Sequence, residues 1–175
     1  MAEPIPLSEI EAARDRLDGL AARTPLVPLN LDRGESQIYL KLENLQPIGS
    51  FKIRGAGNAM ALAGDRALQE GVWTVSAGNM AQGVAWNARR IGIPCSVVVP
   101  DHAPATKIEA IRRFGAEIIK VPFDEWWQVI VTHQYEGMTG GVFVHPVSDR
   151  AVMAGGRWQM AKRSHRKSRV HAHDS

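Results

Sequence analysis

Two short segments carry the residue types that could do chemistry. The first, Ser50-Phe51-Lys52-Ile53-Arg54-Gly55-Ala56, puts a lysine one residue beyond a Gly-Ser turn, where a helical pattern begins. A cation there faces the positive end of the helix dipole, which disfavours its charge. Partial burial beside Phe51 pushes the same way. A lysine held neutral is a nucleophile that can condense with a carbonyl to form a Schiff base. The bland alternative is a solvated lysine on a helix's first turn, the commoner fate of this residue type.

The second segment is Ser76-Ala77-Gly78-Asn79-Met80-Ala81-Gln82. It follows a short apolar run and opens a helical stretch. Gly78 lets a ligand approach the backbone closely. The free N–H groups of a helix start can hold a carboxylate or another small anion. Ser76, Asn79 and Gln82 add neutral hydrogen-bonding groups. The rival reading is an ordinary strand-to-helix turn with Asn79 as the N-cap.

The elements that position these segments follow from patterning. Apolar runs begin at Val72, Cys95, Ile118 and Val142, at spacings of 23, 23 and 24 residues. The gaps hold helical stretches near 80–91, 105–113 and 124–135, long enough for parallel crossovers. Runs such as Ser96-Val97-Val98-Val99 suit a strand covered on both faces. The pattern predicts an α/β fold: an open parallel sheet with helices on both faces over residues 50–150. Ligands of such sheets bind beyond the carboxyl ends of the strands, where both segments fall. Upstream, Ser8 and Glu11 form a capping-box pattern for a helix with Ile10, Ala13 and Leu17 on one face, stopping near Gly19. Pro25 and Pro28 enforce an extended passage. Residues 38–43 alternate as a half-buried strand, and a helix runs from about Phe51 to about Ala63.

Composition narrows the possibilities. The chain has 175 residues, 45% of them hydrophobic and 22% charged, a globular balance. No apolar run is long enough for a membrane span, and the first residues lack the apolar core of a secretory signal. A single cysteine, Cys95, excludes an internal disulfide and a cysteine-based zinc cluster. It reads as inert packing in a strand, and a reducing, cytoplasmic setting is expected. The net charge of +3 belongs to the end of the chain: residues 156–175 hold six Lys/Arg and one acid, leaving 15 basic and 17 acidic residues before them. The body is therefore not a nucleic-acid surface. Trp126 and Trp127 read as core or interface residues. His165, His171 and His173 read as adventitious rather than built metal ligands.

These segments together carry a resemblance. The spaced combination Lys-x-Glu-x-x-Gln-x-x-Gly-Ser-Phe-Lys-x-Arg-Gly-Ala, from Lys41 to Ala56, is joined by Thr24-Pro25-Leu26, by Ser76–Ala85 and by His145–Arg150. The sequence resembles the fold-type II pyridoxal-phosphate enzymes over about residues 5–155, specifically the threonine/serine dehydratase and serine racemase group. The resemblance implies the N-terminal half of a tryptophan synthase β-like fold: residues 1–49 from a large domain, 50–150 the small α/β domain, and 151–175 an aberrant, disordered basic tail. It implies that Lys52 holds pyridoxal 5'-phosphate through a Schiff base and, once displaced, takes the substrate's α-proton. It implies that Asn79 bonds the cofactor's ring hydroxyl and Phe51 packs near the ring. Ser76, Ala77, Gly78, Asn79 and Met80, with Gln82 behind them, would grip the substrate carboxylate. The implied reaction is β-elimination from L-threonine or L-serine to a 2-keto acid and ammonia. The implied partners are a small hydroxy-amino acid and, in a complete chain, further copies of itself, with neither nucleic acid nor membrane.

Two residues depart from the group's pattern. Met80 stands where a histidine is usual, so only its backbone N–H can donate. Ala77 stands where the racemases carry serine, so it has no proton to give to the opposite face, which favours elimination. Family members also continue well beyond residue 155 and supply a glycine-rich phosphate cradle there, whereas residues 156–175 read as an out-of-frame or truncated end. The apolar face of Ile38, Leu40 and Leu42 is then expected to be uncovered. A noncatalytic fragment, a serine racemase-like enzyme and a basic-tailed binding module stand as the alternatives to a lyase.

Overall fold

The computed structural model describes residues 3–29 and 37–157. Helix α1 (Leu7–Arg16) buries Ile10 and Ala13, with Leu17 completing that face. It starts one residue before Ser8: Pro6 occupies the N-cap and no side chain caps the helix. The capping box is thus not used, because Pro6 already supplies the extended backbone that an N-cap needs.

Strands β1 (Leu26–Pro28) and β2 (Tyr39–Lys41) form a two-stranded antiparallel sheet. No third layer covers it among the described residues, and Ile38 and Leu40 are 39% and 41% exposed. The strand expected over 38–43 is therefore present but not half-buried. Its alternation lacks an opposing surface, as the resemblance implied.

A four-stranded parallel sheet in the order β5-β4-β3-β6 forms the body. Its strands are β3 (Val72–Val75), β4 (Cys95–Pro100), β5 (Glu117–Val121) and β6 (Val142–Phe143). Helices α2 (Lys52–Leu68), α3 (Asn79–Ile91) and α4 (Ala105–Arg112) share one apolar core with Val72, Val97, Val99 and Val144. Helix α5 (Phe123–Thr132) covers the opposite face, where Val129 and Trp126 pack on Trp73, Val75, Val98 and Val121. The alternation Val97, Val98, Val99 sends successive side chains to opposite cores, and all three are fully buried. This is the helices-on-both-faces arrangement that the near-continuous apolar strands require.

Residues 150–157 form a further helix, α6, which crosses the expected boundary at 151. Asp149 Oδ1 accepts from the N–H groups of Ala151 and Val152 at 2.7 and 3.2 Å, and Val152 and Ala154 are buried. The first seven residues assigned to a disordered tail are helical because Asp149 caps them and their apolar positions reach the core. The remainder of that tail, with His165, His171 and His173, lies outside the described residues. Among the described residues no helix is long and apolar enough to cross a membrane.

Gly55 in α2 and Gly155 in α6 let these helices meet backbone to backbone. A Cβ on Gly55 would lie 2.8 Å from the Val152 carbonyl oxygen, and one on Gly155 would lie 2.6 Å from that of Arg54. Helix α2 also breaks from helical geometry at Gly64, whose φ of 78° a side chain would resist.

Candidate active site

Strand β3 has β4 on one side and β6 on the other, so the sheet reverses its direction of travel between β3 and β6. In open α/β sheets the crevice at such a reversal, beyond the carboxyl ends of the strands, is where ligands bind. Here the two loops leaving those ends are 76–78 and 145–149. Their roots are pinned together. Val144 N donates to Trp73 O at 2.9 Å, and the fully buried Thr74 hydroxyl donates to Val144 O at 2.7 Å.

Lys52 is the first residue of α2. The turn before it has Gly49 at φ 67°, in the left-handed region that glycine adopts freely, and Ser50 Oγ accepts the Lys52 N–H at 3.3 Å. The lysine amine reaches across the crevice and donates to Pro146 O at 3.1 Å, with Nζ 5.6 Å from the centre of the Phe51 ring. Phe51 is itself exposed.

The Ser76–Met80 segment lies beside it because α3 crosses the first turn of α2 at Gly83. A Cβ there would sit 3.1 Å from the Lys52 carbonyl oxygen, and Asn87 Nδ2 donates to Ile53 O at 3.3 Å. Gly78 is the N-cap of α3, and its N–H donates to Ser76 Oγ at 3.2 Å. Asn79 is the first helical residue, with an exposed side chain, so it does not act as the cap. The first helical bond runs from Gln82 N to Gly78 O, which leaves the amides of Asn79, Met80 and Ala81 ahead of the ladder. With no side-chain cap and no acid in the first turn, this helix end suits an anion. Space above the loop is open: a Cβ on Gly78 would meet nothing nearer than Ser76 Oγ at 4.0 Å. Ser76, Ala77 and Gln82 are half-buried beside it. The Met80 side chain points away and is buried in the core with Ala56 and Val84, so its backbone alone faces the crevice.

A second constellation in this neighbourhood went unassigned in the sequence. Arg54, 2% exposed, donates to both carboxylate oxygens of Glu43, Nε to Oε2 at 2.9 Å and Nη2 to Oε1 at 3.0 Å, and to Ala22 O at 2.7 Å. Glu43 also accepts from the Thr24 hydroxyl at 2.6 Å and from Gln46 Nε2 at 3.1 Å. Gln46 bonds both the N–H and the carbonyl of Ala22, and Lys41 Nζ donates to Thr24 O. Burial raises the Glu43 pKa, but the hydrogen bonds from Arg54 and Thr24 outweigh it and hold the carboxyl below its ordinary 4.5. These residues are the Lys-x-Glu-x-x-Gln…Arg positions of the spaced motif. They tie the 21–29 segment and the 3-10 turn Glu43–Leu45 to the start of α2. The signal for them was the spacing of Lys41, Glu43 and Gln46 around a turn, with Arg54 two residues after Lys52.

His145 organises the opposite loop. Its Nδ1 accepts from Val147 N at 3.1 Å and Ser148 N at 2.8 Å, with Ser148 Oγ also at 2.8 Å, while Nε2 lies 3.1 Å from Ile130 O. The ring is 5% exposed and stacks 4.3 Å from His133, which ends α5 in the left-handed region. Burial lowers its pKa below 6.5, His133 adds to this, and the Ile130 bond and Asp149 oppose it. Among the described residues no group of His, Cys, Asp and Glu is arranged to hold a metal ion.

The comparisons with known proteins agree with this geometry. The family model described as "Pyridoxal-phosphate dependent enzyme" matches residues 17–163. The chain belongs to the pyridoxal-phosphate dependent enzymes. It is 43% identical to an L-threonine ammonia-lyase of Geobacter sulfurreducens over 155 residues, which is 86% of this chain and 38% of that protein. It is 36% identical to a catabolic L-threonine dehydratase of Staphylococcus aureus over 154 residues, covering 86% of this chain and 44% of that one. Among solved structures, a pyridoxal 5'-phosphate-dependent aspartate racemase superposes with a TM-score of 0.79 at 32% identity, over 95% of this chain and 53% of that one. A threonine deaminase from T.th. gives 0.77 at 35% identity, over 93% and 53%. The chain thus spans 38–44% of those curated relatives and about half of each solved chain.

The residues present fit the family's cofactor at its aldehyde end. A primary amine lies beside a flat aromatic side chain, and an exposed amide opens the uncapped helix that packs on the first turn of α2. None of the described residues is assigned to the phosphate.

Proposed function

We propose that this chain provides the amine-bearing part of a site for β-elimination from L-threonine or L-serine, giving a 2-keto acid and ammonia. Pyridoxal 5'-phosphate, when bound, supplies the electron-withdrawing system that makes the substrate's Cα–H bond acidic. Lys52 would hold the cofactor through its amine and would serve as the base at the substrate's α-proton. Its bond to Pro146 O keeps Nζ directed into the crevice between the β3 and β6 loops. The amides that open α3 would hold the substrate carboxylate, and Asn79 and Phe51 would hold the cofactor ring. Ala77 offers no proton donor, which favours elimination over racemisation. The single observation that carries the reading is the placement of the Lys52 amine at the sheet's reversal point, opposite an uncapped helix start.

The test is borohydride reduction of the protein with pyridoxal 5'-phosphate, followed by peptide mapping. A reduced adduct on Lys52, with 2-ketobutyrate formed from L-threonine and lost in Lys52→Ala, is the expected result. An unlabelled Lys52 ends the proposal. Absence of an adduct favours the second reading, a noncatalytic fragment that does not hold the cofactor. That reading draws on the 38–44% coverage and on the uncovered Ile38 and Leu40. The same exposed residues support self-association of the chain.

A further inference from the structure

We infer that His145 is a positioning residue for Lys52, aiming the carbonyl that receives the lysine amine. The inference rests on the reading of Lys52 as the reactive amine. The acceptor of Lys52 Nζ is Pro146 O, and the donor to His145 Nδ1 is Val147 N. These two atoms are the opposite ends of one peptide group, Pro146–Val147. A trans peptide is planar and directs its C=O and N–H in opposite directions, so fixing one fixes the other. Gripping the Val147 N–H therefore points the Pro146 carbonyl at Lys52.

The ring can do this because its own state is set elsewhere. Nδ1 accepts two backbone N–H groups, so it carries no proton, and the proton belongs on Nε2, which donates to Ile130 O near the end of α5. The His145 ring thus links the carboxyl-terminal end of α5 to the peptide that anchors Lys52, a role distinct from that of any residue placed in the crevice. Buried packing alone would not need two convergent amides on one nitrogen.

Two substitutions separate the ring's two functions. In His145→Asn the side-chain oxygen takes the place of Nδ1 and keeps the acceptor, but the Ile130 contact is lost. In His145→Gln the amide reaches toward Ile130 O, and the acceptor for Val147 is lost. The measurement is the rate of Lys52 acetylation by acetic anhydride, read by peptide mass spectrometry with other lysines as internal references and urea unfolding run in parallel. His145→Asn is expected to label within about two-fold of the native rate. His145→Gln is expected to label about five-fold faster, the effect of one hydrogen bond lost at the amine. His145→Ala removes the acceptor together with the ring and should also label like His145→Gln. It decides the matter if the glutamine variant fails to fold. Native labelling in folded His145→Ala or His145→Gln, or equal acceleration in the asparagine and glutamine variants, overturns the inference. Acetic anhydride reads the amine without cofactor. Failure of pyridoxal phosphate trapping with this labelling order intact would sink the proposed function and leave the inference standing.

Discussion

Arg54→Met should invert the acid response of this protein. The substitution keeps an unbranched side chain in a site that is 2% exposed while deleting both bonds to Glu43 and the one to Ala22 O. Removing one partner of a buried ion pair costs about 3–5 kcal/mol, because the other charge is stranded. Lys41 Nζ, 3.7 Å from Glu43 Oε1 and partly solvated, still offsets some of that charge, which places the loss near ~3 kcal/mol. In the native protein the Glu43 carboxyl titrates below 4.5, so its contribution is complete above that value and is lost as pH falls through the lower folded value. Without Arg54, burial is the dominant influence on Glu43 and its pKa moves above 4.5. The folded state then binds the proton more tightly than the unfolded chain does, and stability rises as pH drops from neutral toward 5. Urea unfolding followed by circular dichroism at pH 7.5, 6, 5 and 4 measures both slopes. Adding Glu43→Gln to the variant should return about 2 kcal/mol at pH 7.5 by removing the stranded charge. A loss below about 1 kcal/mol, or parallel pH slopes for native and variant, would refute the reasoning.

Three further outcomes are expected. Gly155→Ala should destabilise by about 1–3 kcal/mol, since its Cβ meets the Arg54 carbonyl at 2.6 Å and Asn58 Cβ at 2.7 Å. Gly156→Ala, with nothing nearer than Phe51 at 3.8 Å, should stabilise by up to about 1 kcal/mol, and thermal denaturation of the pair distinguishes the two contacts. Burial pushes the Cys95 thiol up to about 12, so Ellman's reagent at pH 8 should react only at the rate of global unfolding; rapid native labelling would contradict its place in the core. His145 is held neutral with a folded pKa below 6.5, so its contribution is complete above that value and declines as pH falls through 6.5 toward the folded value. That slope should be absent from the urea-derived stability of His145→Asn.

The sheet was legible because its signals are local. Four β-branched runs at nearly equal spacing became β3, β4, β5 and β6, and the helix expected near 80–91 begins at Asn79. The lysine at a helix start and the loop after β3 were legible for the same reason. What depends on long-range contact was not. Pro6 rather than Ser8 caps α1, and the half-buried strand at 38–43 found no surface to be buried against. The helix at 150–157 was hidden because it was read together with the basic stretch that follows, while Gly155 packs directly on the Arg54 carbonyl. Glu43 and Arg54 lie 11 residues apart, and nothing in that spacing says that they bond bidentately. Met80 was expected to offer only its backbone N–H, and the helical phase of α3 turns its side chain into the core.

Side-chain interfaces can be repacked; peptide-on-peptide contact has no slack to absorb a shift. Gly55, three residues from Lys52, and Gly155 bring α2 and α6 together in that way, so a side chain at either position must push the two helices apart. The register between these helices, and with it the start of α2 that carries the amine, is therefore set by two residues that have no side chain.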